Sequence, residues 1–287
     1  MTSVDRRPGG VDVHLRGVIH LYTQQGPDIV ALRGVDLDID AGEMIALLGP
    51  SGMGKSTLMQ LLAGVMQPSA GAISIGDVTL GTLSAPALQR MRATEVSFVL
   101  QETGRNILPY ATATENVWFS QQGARRAPRP LPDPDELLAQ LGLAKVSHRR
   151  VGDLPRGQQQ LVALAAGVGS APRLLLADEP TNQLDSAATA QVISLLQTIN
   201  QQLGTTIVLV THDPVVAAAL PRTVTIRDGR VGAEGRRGVQ YAVVDGSGSV
   251  QLPPEVLEFL PPHTRVIVRH DEVGVHLLPE DATEGEP

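Results

Sequence analysis

Residues 49–57 read GPSGMGKST, and this stretch decides the fold of the chain. It matches the pattern of a glycine, four variable residues, a second glycine, a lysine and a serine or threonine, which forms a loop around phosphate groups. Residues 44–48 before it read MIALL, as in a buried strand, and residues 57–65 after it carry apolar side chains at helical spacing. The sequence therefore predicts a strand, a phosphate-binding loop and a helix in succession.

The residue types of this loop suit a nucleotide with several phosphates. Its glycines let backbone N–H groups turn inward, and the N-terminus of the following helix adds partial positive charge. Lys55 is expected to neutralise the β- and γ-phosphates, and the Ser56 hydroxyl to ligate magnesium. A glycine-rich turn without a ligand is the alternative. The predicted ATP-binding residues of the loop are Gly49, Ser51, Gly52, Gly54, Lys55, Ser56 and Thr57.

Two carboxylates end a second apolar run. Residues 173–177 read RLLLA and lead into Asp178 and Glu179. Such a run is typical of a strand buried on both faces of a parallel sheet, and nucleotides bind at the carboxyl edge of such sheets. We expect Asp178 to hold Mg²⁺, directly or through water, and Glu179 to polarise the attacking water. Two adjacent acids at an ordinary solvated strand end are the alternative.

Length and composition limit the remaining possibilities. The chain has 287 residues, 42% of them hydrophobic, which is enough for one full-sized α/β core and a small second unit. Its formal net charge of -7 argues against a protein that coats nucleic acid, so no nucleic-acid partner is expected. The sequence has no run of about 18 apolar residues, no cysteine, and no apolar stretch behind the N-terminal MTSVDRRPGG. These features favour a cytoplasmic protein.

The order of the motifs resembles the nucleotide-binding domain of ABC proteins. The resemblance covers about residues 11–232 and implies an α/β fold with a mixed sheet core and a helical subdomain. The motifs that carry it are Lys55, Gln101, LPRGQ at 154–158, LLLADEP at 174–180, Asp185 and His212. Three segments are similar to the lipoprotein-release, macrolide-export and cell-division type: ALRGVDLDIDAGE at 31–43, FVLQETGRNILPYATATENV at 98–117 and LLLADEPTNQLDS at 174–186.

The resemblance implies an ATPase with two kinds of partner. One is an integral membrane permease, which holds the chain at the inner face of the cell membrane and is driven by ATP hydrolysis. The other is a second ATPase subunit. An ATPase that signals through a permease without moving cargo is one alternative. A soluble ABC protein of translation or DNA repair is another, although the single nucleotide domain and the lack of a long heptad run count against it.

The resemblance also implies roles for single residues. Tyr22 falls where the family has an aromatic ring that stacks on adenine, with a plain strand-edge aromatic as the alternative. Gln101 would sense magnesium and water and pass the signal to residues 102–110, which should touch the permease. His212 would contact the γ-phosphate and position Glu179. The implied sets are the catalytic residues Glu179, His212 and Gln101, the metal ligands Ser56, Gln101 and Asp178, and the further nucleotide-binding residues Tyr22, Gly157, Gln158 and Asp185.

The signature loop departs from the family. Family members usually have LSGGQ, which binds the γ-phosphate held by the opposite subunit, whereas residues 154–158 read LPRGQ. Pro155 has no N–H to donate, and Arg156 adds bulk where the loop should approach phosphate. Arg156 could offset this by pairing with the phosphate directly. Two arrangements stay open: a homodimer with two weakened sites, or a heterodimer in which this chain supplies an intact phosphate loop and a poor signature.

A proline- and arginine-rich connection interrupts the domain at residues 123–135. We interpret it as a solvated hinge, with Asp135 as the predicted N-cap of a helix at 136–141. The alternative is a basic patch that faces the membrane, formed by Arg125, Arg126 and Arg129.

The C-terminal part is predicted to form a separate β-rich unit. Strand patterns and a helix at 254–259 resemble an AbrB-like swapped-hairpin domain, in which two copies interlock. The strand patterns lie at 241–244, 250–252, 265–269 and 274–278. Residues 239–287 hold two arginines against nine Asp and Glu, so we expect self-association rather than DNA binding. An unrelated regulatory β-tail that packs on its own subunit is the alternative.

These patterns divide the chain into five parts. The predicted boundaries place a flexible N-terminus at 1–10, the nucleotide-binding domain at 11–232, a polar glycine-rich linker at 233–238, the AbrB-like domain at 239–282 and a tail at 283–287. The fold class expected from them is an α/β phosphate-loop ATPase with a small C-terminal β-rich domain.

Overall fold

The computed structural model describes residues 9–23, 28–125, 130–182, 184–236, 239–246, 248–271 and 274–279. Its strands are β1 Val13–Tyr22, β2 Ile29–Ile39, β3 Met44–Leu48, β4 Ala70–Ile75, β5 Val78–Thr79, β6 Val96–Val99, β7 Leu174–Asp178, β8 Thr206–Val210, β9 Arg222–Arg227, β10 Arg230–Arg236, β11 Val239–Ala242, β12 Val266–His270 and β13 Val275–Pro279. Its helices are α1 Lys55–Leu62, α2 Ala85–Thr94, α3 Ala113–Ala124, α4 Pro134–Gln140, α5 Arg156–Gly169, α6 Ser186–Leu203, α7 Pro214–Ala218 and α8 Pro254–Leu257.

A mixed seven-stranded sheet forms the core, in the order β11-β10-β9-β3-β8-β7-β6. The strands from β9 to β6 run parallel, whereas β10 and β11 are antiparallel to their neighbours. Every residue of β7 and β8 is buried, as expected for central strands covered on both faces. The carboxyl ends of β3, β6, β7 and β8 therefore meet at one edge of the sheet, where the phosphate loop also begins. The predicted mixed α/β core is confirmed.

A second, antiparallel sheet and a group of helices cover the two faces of this core. The second sheet has the order β2-β1-β4-β5, and α1 packs between the two sheets with Leu58 and Leu62 fully buried. On the other side, α3, α4, α5 and α6 pack through a shared apolar cluster that includes Val117, Leu138 and Leu164. These helices form the predicted helical subdomain. None of the helices in the described part of the chain is long and apolar enough to cross a membrane.

The helix after the proline-rich connection begins two residues earlier than predicted. Asp133, not Asp135, is the N-cap of α4, and its carboxylate accepts hydrogen bonds from the backbone N–H groups of Asp135 and Glu136. Pro134 occupies the first helical position, where a missing N–H costs nothing. Residues 126–129 lie outside the described residues, and so does the predicted basic patch apart from Arg125.

The predicted linker at 233–238 is wrong for residues 233–236, which belong to β10 and pair with β11. The glycines that suggested a flexible link serve close packing instead. A Cβ atom at Gly235 would lie 2.3 Å from the Thr223 hydroxyl, and one at Gly232 would lie 2.1 Å from the Gln251 side chain. Residues 237–238 lie outside the described residues, as do residues 1–8 of the predicted flexible N-terminus and the predicted tail.

The C-terminal extension first packs on the core and then forms a two-stranded hairpin. Asp245 forms an ion pair with Arg230, Gln251 donates to the Arg227 carbonyl oxygen at 3.2 Å, and Leu260 is buried. Beyond this point β12 and β13 pair with each other, and every residue of β12 is exposed. The predicted helix and last two strands are each found within two residues of their expected ends, whereas β11 joins the main sheet.

Candidate active site

Two positions of the phosphate loop lie so close to neighbouring backbone that only glycine fits. Gly49 has a φ of 134°, and a Cβ atom there would lie 2.0 Å from the carbonyl oxygen of Ile226. Gly54 has a φ of 93°, and a Cβ atom there would lie 2.5 Å from the Ala31 carbonyl oxygen. Gly54 is also the N-cap of α1, so the backbone N–H groups of the first helical turn remain free for an anion.

Lys55 lies in the first turn of α1 and reaches back over the loop. Its Nζ donates to the carbonyl oxygens of Gly49 at 2.6 Å and Pro50 at 2.7 Å. Burial lowers the pKa of Lys55, and the nearby charges of Glu179 and Asp178 oppose that shift. The loop thus surrounds a buried cation, which is a favourable partner for phosphate oxygens.

Asp178 ends β7 and lies beside Ser56, so a carboxylate and a hydroxyl oxygen are available as metal ligands. Burial raises the pKa of the Asp178 carboxyl, and a hydrogen bond with the Ser56 side chain opposes that rise. Gln101, which follows β6, lines the same cavity. Hydroxyl, carboxylate and amide oxygens are hard ligands of the kind that Mg²⁺ prefers, and phosphates usually complete such sites. The donor set therefore fits magnesium bound together with a nucleotide.

Glu179 is held in an unusual backbone conformation. Its φ is 51°, in the left-handed region that residues other than glycine rarely adopt. The N–H of Glu179 donates to the Val210 carbonyl oxygen at 3.0 Å, which fixes the residue to the end of β8. His212 follows β8, and its Nδ1 lies 2.8 Å from Oε1 of Glu179. The two side chains thus form a pair at the carboxyl edge of the sheet.

Most of the residues predicted from the phosphate loop and strand ends line one cavity of about 350 Å³. Tyr22 closes one side of it, and its hydroxyl lies 3.1 Å from Oγ1 of Thr57. Among the predicted residues that line the cavity are Tyr22, Ser51, Gly52, Gly54, Lys55, Ser56, Thr57, Gln101, Asp178 and Glu179. A larger cavity of about 850 Å³ lies at the opposite, amino edge of the sheet, away from these groups.

Comparison with known proteins identifies the family. The ABC transporter family model matches residues 32–182. The lipoprotein-releasing system ATP-binding protein LolD of Anaeromyxobacter dehalogenans is 43% identical over 228 residues, which cover 78% of this chain and 93% of that protein. The chain belongs to the ABC transporter family. It is accordingly an ATPase that binds ATP with Mg²⁺.

Two further matches are to a longer protein and to an ABC ATPase of known structure. The macrolide export ATP-binding/permease protein MacB 2 of Aeromonas hydrophila is 39% identical over 221 residues, but the match spans only 34% of that protein. The dimeric structure of a post-hydrolysis state of the ATP-binding cassette MJ0796, bound to ADP and Pi, has a TM-score of 0.72 and 33% identity. That match covers 79% of this chain and 100% of the solved chain.

Five predicted residues of the ABC ATPase are not among those that line the cavity: Gly49, Gly157, Gln158, Asp185 and His212. Gly157 and Gln158 are in the first turn of α5, behind Pro155, which occupies the N-cap position and carries no side-chain acceptor. Asp185 is the N-cap of α6, and its carboxylate accepts from the backbone N–H of Ala188 at 2.8 Å. A local helix-capping role therefore accounts for Asp185 within one subunit.

Sequence reasoning missed two polar side chains that shape the loop after Gln101. Asn106 closes the base of this loop, because its Oδ1 accepts from the Leu100 N–H at 2.8 Å and its Nδ2 donates to the Leu100 carbonyl at 2.7 Å. Gln160 on α5 is 3% exposed and contacts both this loop and the segment after Glu179. No sequence pattern marked either residue, because Gln160 follows two other glutamines and Asn106 lies in a polar loop.

The His212 imidazole should titrate at a higher pH than an ordinary histidine. Its hydrogen bond to Glu179, and then the charge of that carboxylate, raise the pKa of His212 above its usual value. Glu179→Gln removes the charge, so the pKa of His212 should fall towards 6.5. NMR titration of the His212 imidazole signals in both proteins measures the change. An unaltered pKa for His212 would mean that the pair does not form in solution.

Proposed function

We propose that this chain is the ATP-hydrolysing subunit that powers a membrane permease of the lipoprotein-release and macrolide-export type. The match to a LolD protein over nearly its whole length carries this proposal. The cavity at the carboxyl edge of the sheet supports it, because it gathers a phosphate loop, a magnesium donor set and a carboxylate paired with histidine. A lipoprotein or another hydrophobic cargo would then be moved by the permease, and this chain would supply the energy.

Each group at the cavity receives a role in hydrolysis. Tyr22 stacks on the adenine, and Lys55 with the N-terminus of α1 neutralises the phosphates. Ser56, Asp178 and Gln101 would hold magnesium, which would supply positive charge against the phosphate oxygens. Glu179 accepts a hydrogen bond from the attacking water and orients it towards the γ-phosphorus. His212 holds the Glu179 carboxylate and donates to the γ-phosphate.

The permease is proposed to bind on the side of the helical subdomain, next to the loop after Gln101. Three large apolar side chains in this part of the chain face solvent: Tyr110 is 72% exposed, Trp118 48% and Phe119 58%. Exposed aromatic residues of this kind commonly mark protein contacts. Docking there places the chain at the inner face of the membrane and connects the permease to Gln101.

Purification of the tagged chain from detergent-solubilised membranes tests this proposal. We expect a permease with several transmembrane helices and a large extracytoplasmic domain to co-purify, and its amount to fall in Trp118→Ser and Phe119→Ser. Val65→Ser is the control, since Val65 is an apolar residue that is 56% exposed outside the helical subdomain. Equal permease recovery with all variants would reject the docking surface, and recovery of no membrane protein would reject the transporter subunit.

The C-terminal extension is proposed to associate with that of a second copy. Val266, Val268, Val275 and Leu277 lie on one face of the β12–β13 hairpin, since Val268 is directly opposite Leu277. Val268 is 64% exposed and Val275 is 69% exposed. A two-stranded hairpin cannot bury such a face by itself. The corresponding hairpin of a second copy is the occupant we favour. The AbrB-like pairing would then be limited to the hairpin, since residues 239–242 belong to the main sheet and Gln251 and Leu260 pack on the core.

Such a contact would favour a homodimer over a heterodimer. It raises the effective concentration of two identical subunits and so favours the ATP-bound dimer without a further phosphate contact. This compensates for the phosphate contacts that Pro155 and Arg156 weaken at the signature loop. A single kind of ATPase subunit is therefore expected when the mass of the purified complex is measured.

Removal of residues 261–287 is expected to weaken subunit pairing and to leave ATP binding intact. This truncation deletes the hairpin and retains Leu260, Gln251 and Asp245, which pack on the core. ATPase activity should fall at low protein concentration and recover as concentration rises, because pairing then no longer depends on the tether. Light scattering and ATPase assays across a dilution series measure both effects. Pairing unchanged by truncation would support the alternative of a tail that packs on its own subunit.

A further inference from the structure

A side chain outside the predicted site joins the segments that carry Gln101 and Glu179. Gln160 lies in the second turn of α5 and is 3% exposed. Its Oε1 accepts a hydrogen bond from the Thr103 hydroxyl, and its Nε2 donates to the Pro180 carbonyl oxygen at 3.1 Å. Thr103 is two residues after Gln101, and Pro180 directly follows Glu179. One buried amide therefore spans the gap between the two segments.

At one end, this bridge fixes backbone that is under strain. Glu179 has its φ at 51°, a conformation that persists only where the surroundings impose it. On the N-terminal side, the N–H of Glu179 donates to the Val210 carbonyl oxygen at the end of β8. After Glu179, the Pro180 carbonyl is bound to Gln160 on α5. The chain is thus tied down on both sides of the carboxylate, and loss of the second tie would let the backbone relax.

At the other end, the bridge reaches the loop that follows β6. Asn106 holds the base of this loop through its two hydrogen bonds to Leu100. Thr103 lies between that base and Gln101, and its hydroxyl is bound to Gln160. The hydrogen bond between Gln160 and Pro180 is buried, so removal of the amide leaves the Pro180 carbonyl oxygen without a partner. Gln160 therefore contacts both this loop and the segment that carries Glu179.

We propose that Gln160 is a positioning residue for ATP hydrolysis. It holds Glu179 in its strained conformation and links that conformation to the loop after Gln101. This inference rests on the roles proposed above for Glu179 and the loop. The orientation of an attacking water is sensitive to its support, since a displacement of about 1 Å can reduce a rate by about 100-fold.

Gln160→Met tests the proposal, because it removes both hydrogen bonds and nearly conserves side-chain volume. We expect kcat to fall about 10-fold or more, while KM and the equilibrium affinity for Mg-ATP stay within about twofold. Gln160→Glu keeps an acceptor for Thr103 and loses the donor to Pro180, so kcat should fall similarly. Thr103→Val removes only the loop half and should lower kcat about fivefold, and Thr103→Ser should restore it.

Gln121→Met is the matched control. Gln121 on α3 is 4% exposed, and its Nε2 donates to the Pro132 carbonyl oxygen at 2.8 Å, so it has the same kind of buried bond away from the cavity. Both methionine variants should lower the melting temperature, but only Gln160→Met should lower kcat. Equal losses of kcat at the two positions, or parental kcat in Gln160→Met, would overturn the proposal.

Two further measurements keep the result unambiguous. If Gln160→Met does not fold, Thr103→Val is used in its place. Parental kcat in Thr103→Val would then reject the positioning role of Gln160. Glu179→Gln is assayed in parallel, because it tests the proposed catalytic role alone. Slow turnover in Glu179→Gln together with parental kcat in Gln160→Met rejects the bridge and leaves the proposed function standing. Parental turnover in Glu179→Gln rejects the catalytic role of Glu179 itself.

Discussion

Glu179→Gln is expected to bind Mg-ATP with parental affinity and to hydrolyse it about 100-fold more slowly, or more slowly still. The amide has the size of the carboxylate, but it lacks the charge that polarises a water molecule. Glu179 lies in the cavity beside Lys55 and Asp178, and its Oε1 contacts His212 at 2.8 Å. Steady-state ATPase assays at saturating Mg-ATP and nucleotide titrations of the same protein measure the two properties separately.

The control for this variant is Glu136→Gln, since Glu136 is an exposed carboxylate in the first turn of α4. It should retain parental turnover. Glu179→Gln should also accumulate as an ATP-bound dimer, which light scattering detects as a doubled mass in the presence of Mg-ATP. Parental turnover in Glu179→Gln would remove the assigned role from this residue, whatever its effect on dimers.

Lys55→Ala is expected to weaken Mg-ATP binding about 100-fold or more, which corresponds to about 2.7 kcal/mol. The ammonium group is surrounded by the phosphate loop, where its Nζ donates to the Gly49 and Pro50 carbonyl oxygens. Alanine leaves these carbonyl oxygens without a cation to oppose the phosphate charge. Isothermal titration of the purified chain with Mg-ATP measures the affinity directly.

The sequence provides a matched control for this change, because Lys55 and Lys145 are its only lysines. Lys145 lies in a short turn between α4 and α5 and is exposed. Lys145→Ala removes the same charge from the chain and should leave affinity unaltered. If both alanine variants bound Mg-ATP like the parental protein, the phosphate-loop interpretation of residues 49–57 would be contradicted.

The elements around the phosphate loop could be predicted because their signals are local. The strand before the loop was predicted with the bounds that the structure has. It is a short apolar run buried on two faces, so composition alone identifies it. The carboxylates at 178–179 follow a strand of the same kind, and parallel pairing brings them to the edge where the loop lies.

The features that could not be predicted depend on contacts between distant segments. Gly232 and Gly235 resemble a flexible link in sequence, and only the proximity of Gln251 and Thr223 explains them as close-packed strand residues. The bonds of Gln160 to Thr103 and Pro180 join residues far apart in the chain, which no periodic pattern records. The N-cap of α4 was predicted at the wrong residue for a different reason. Asp133 and Asp135 are both suitable N-caps followed by helix-compatible residues, and the sequence does not distinguish them.

The strained backbone at Glu179 lowers the free energy of unfolding of the whole protein. A residue other than glycine in this left-handed conformation destabilises the native state by about 1 kcal/mol or more. Glycine would adopt the same φ without strain, although its larger freedom in the unfolded chain would cancel part of the gain. The protein therefore accepts reduced thermal stability in order to present a carboxylate at this point. Selection for heat resistance alone would favour substitutions here that abolish activity.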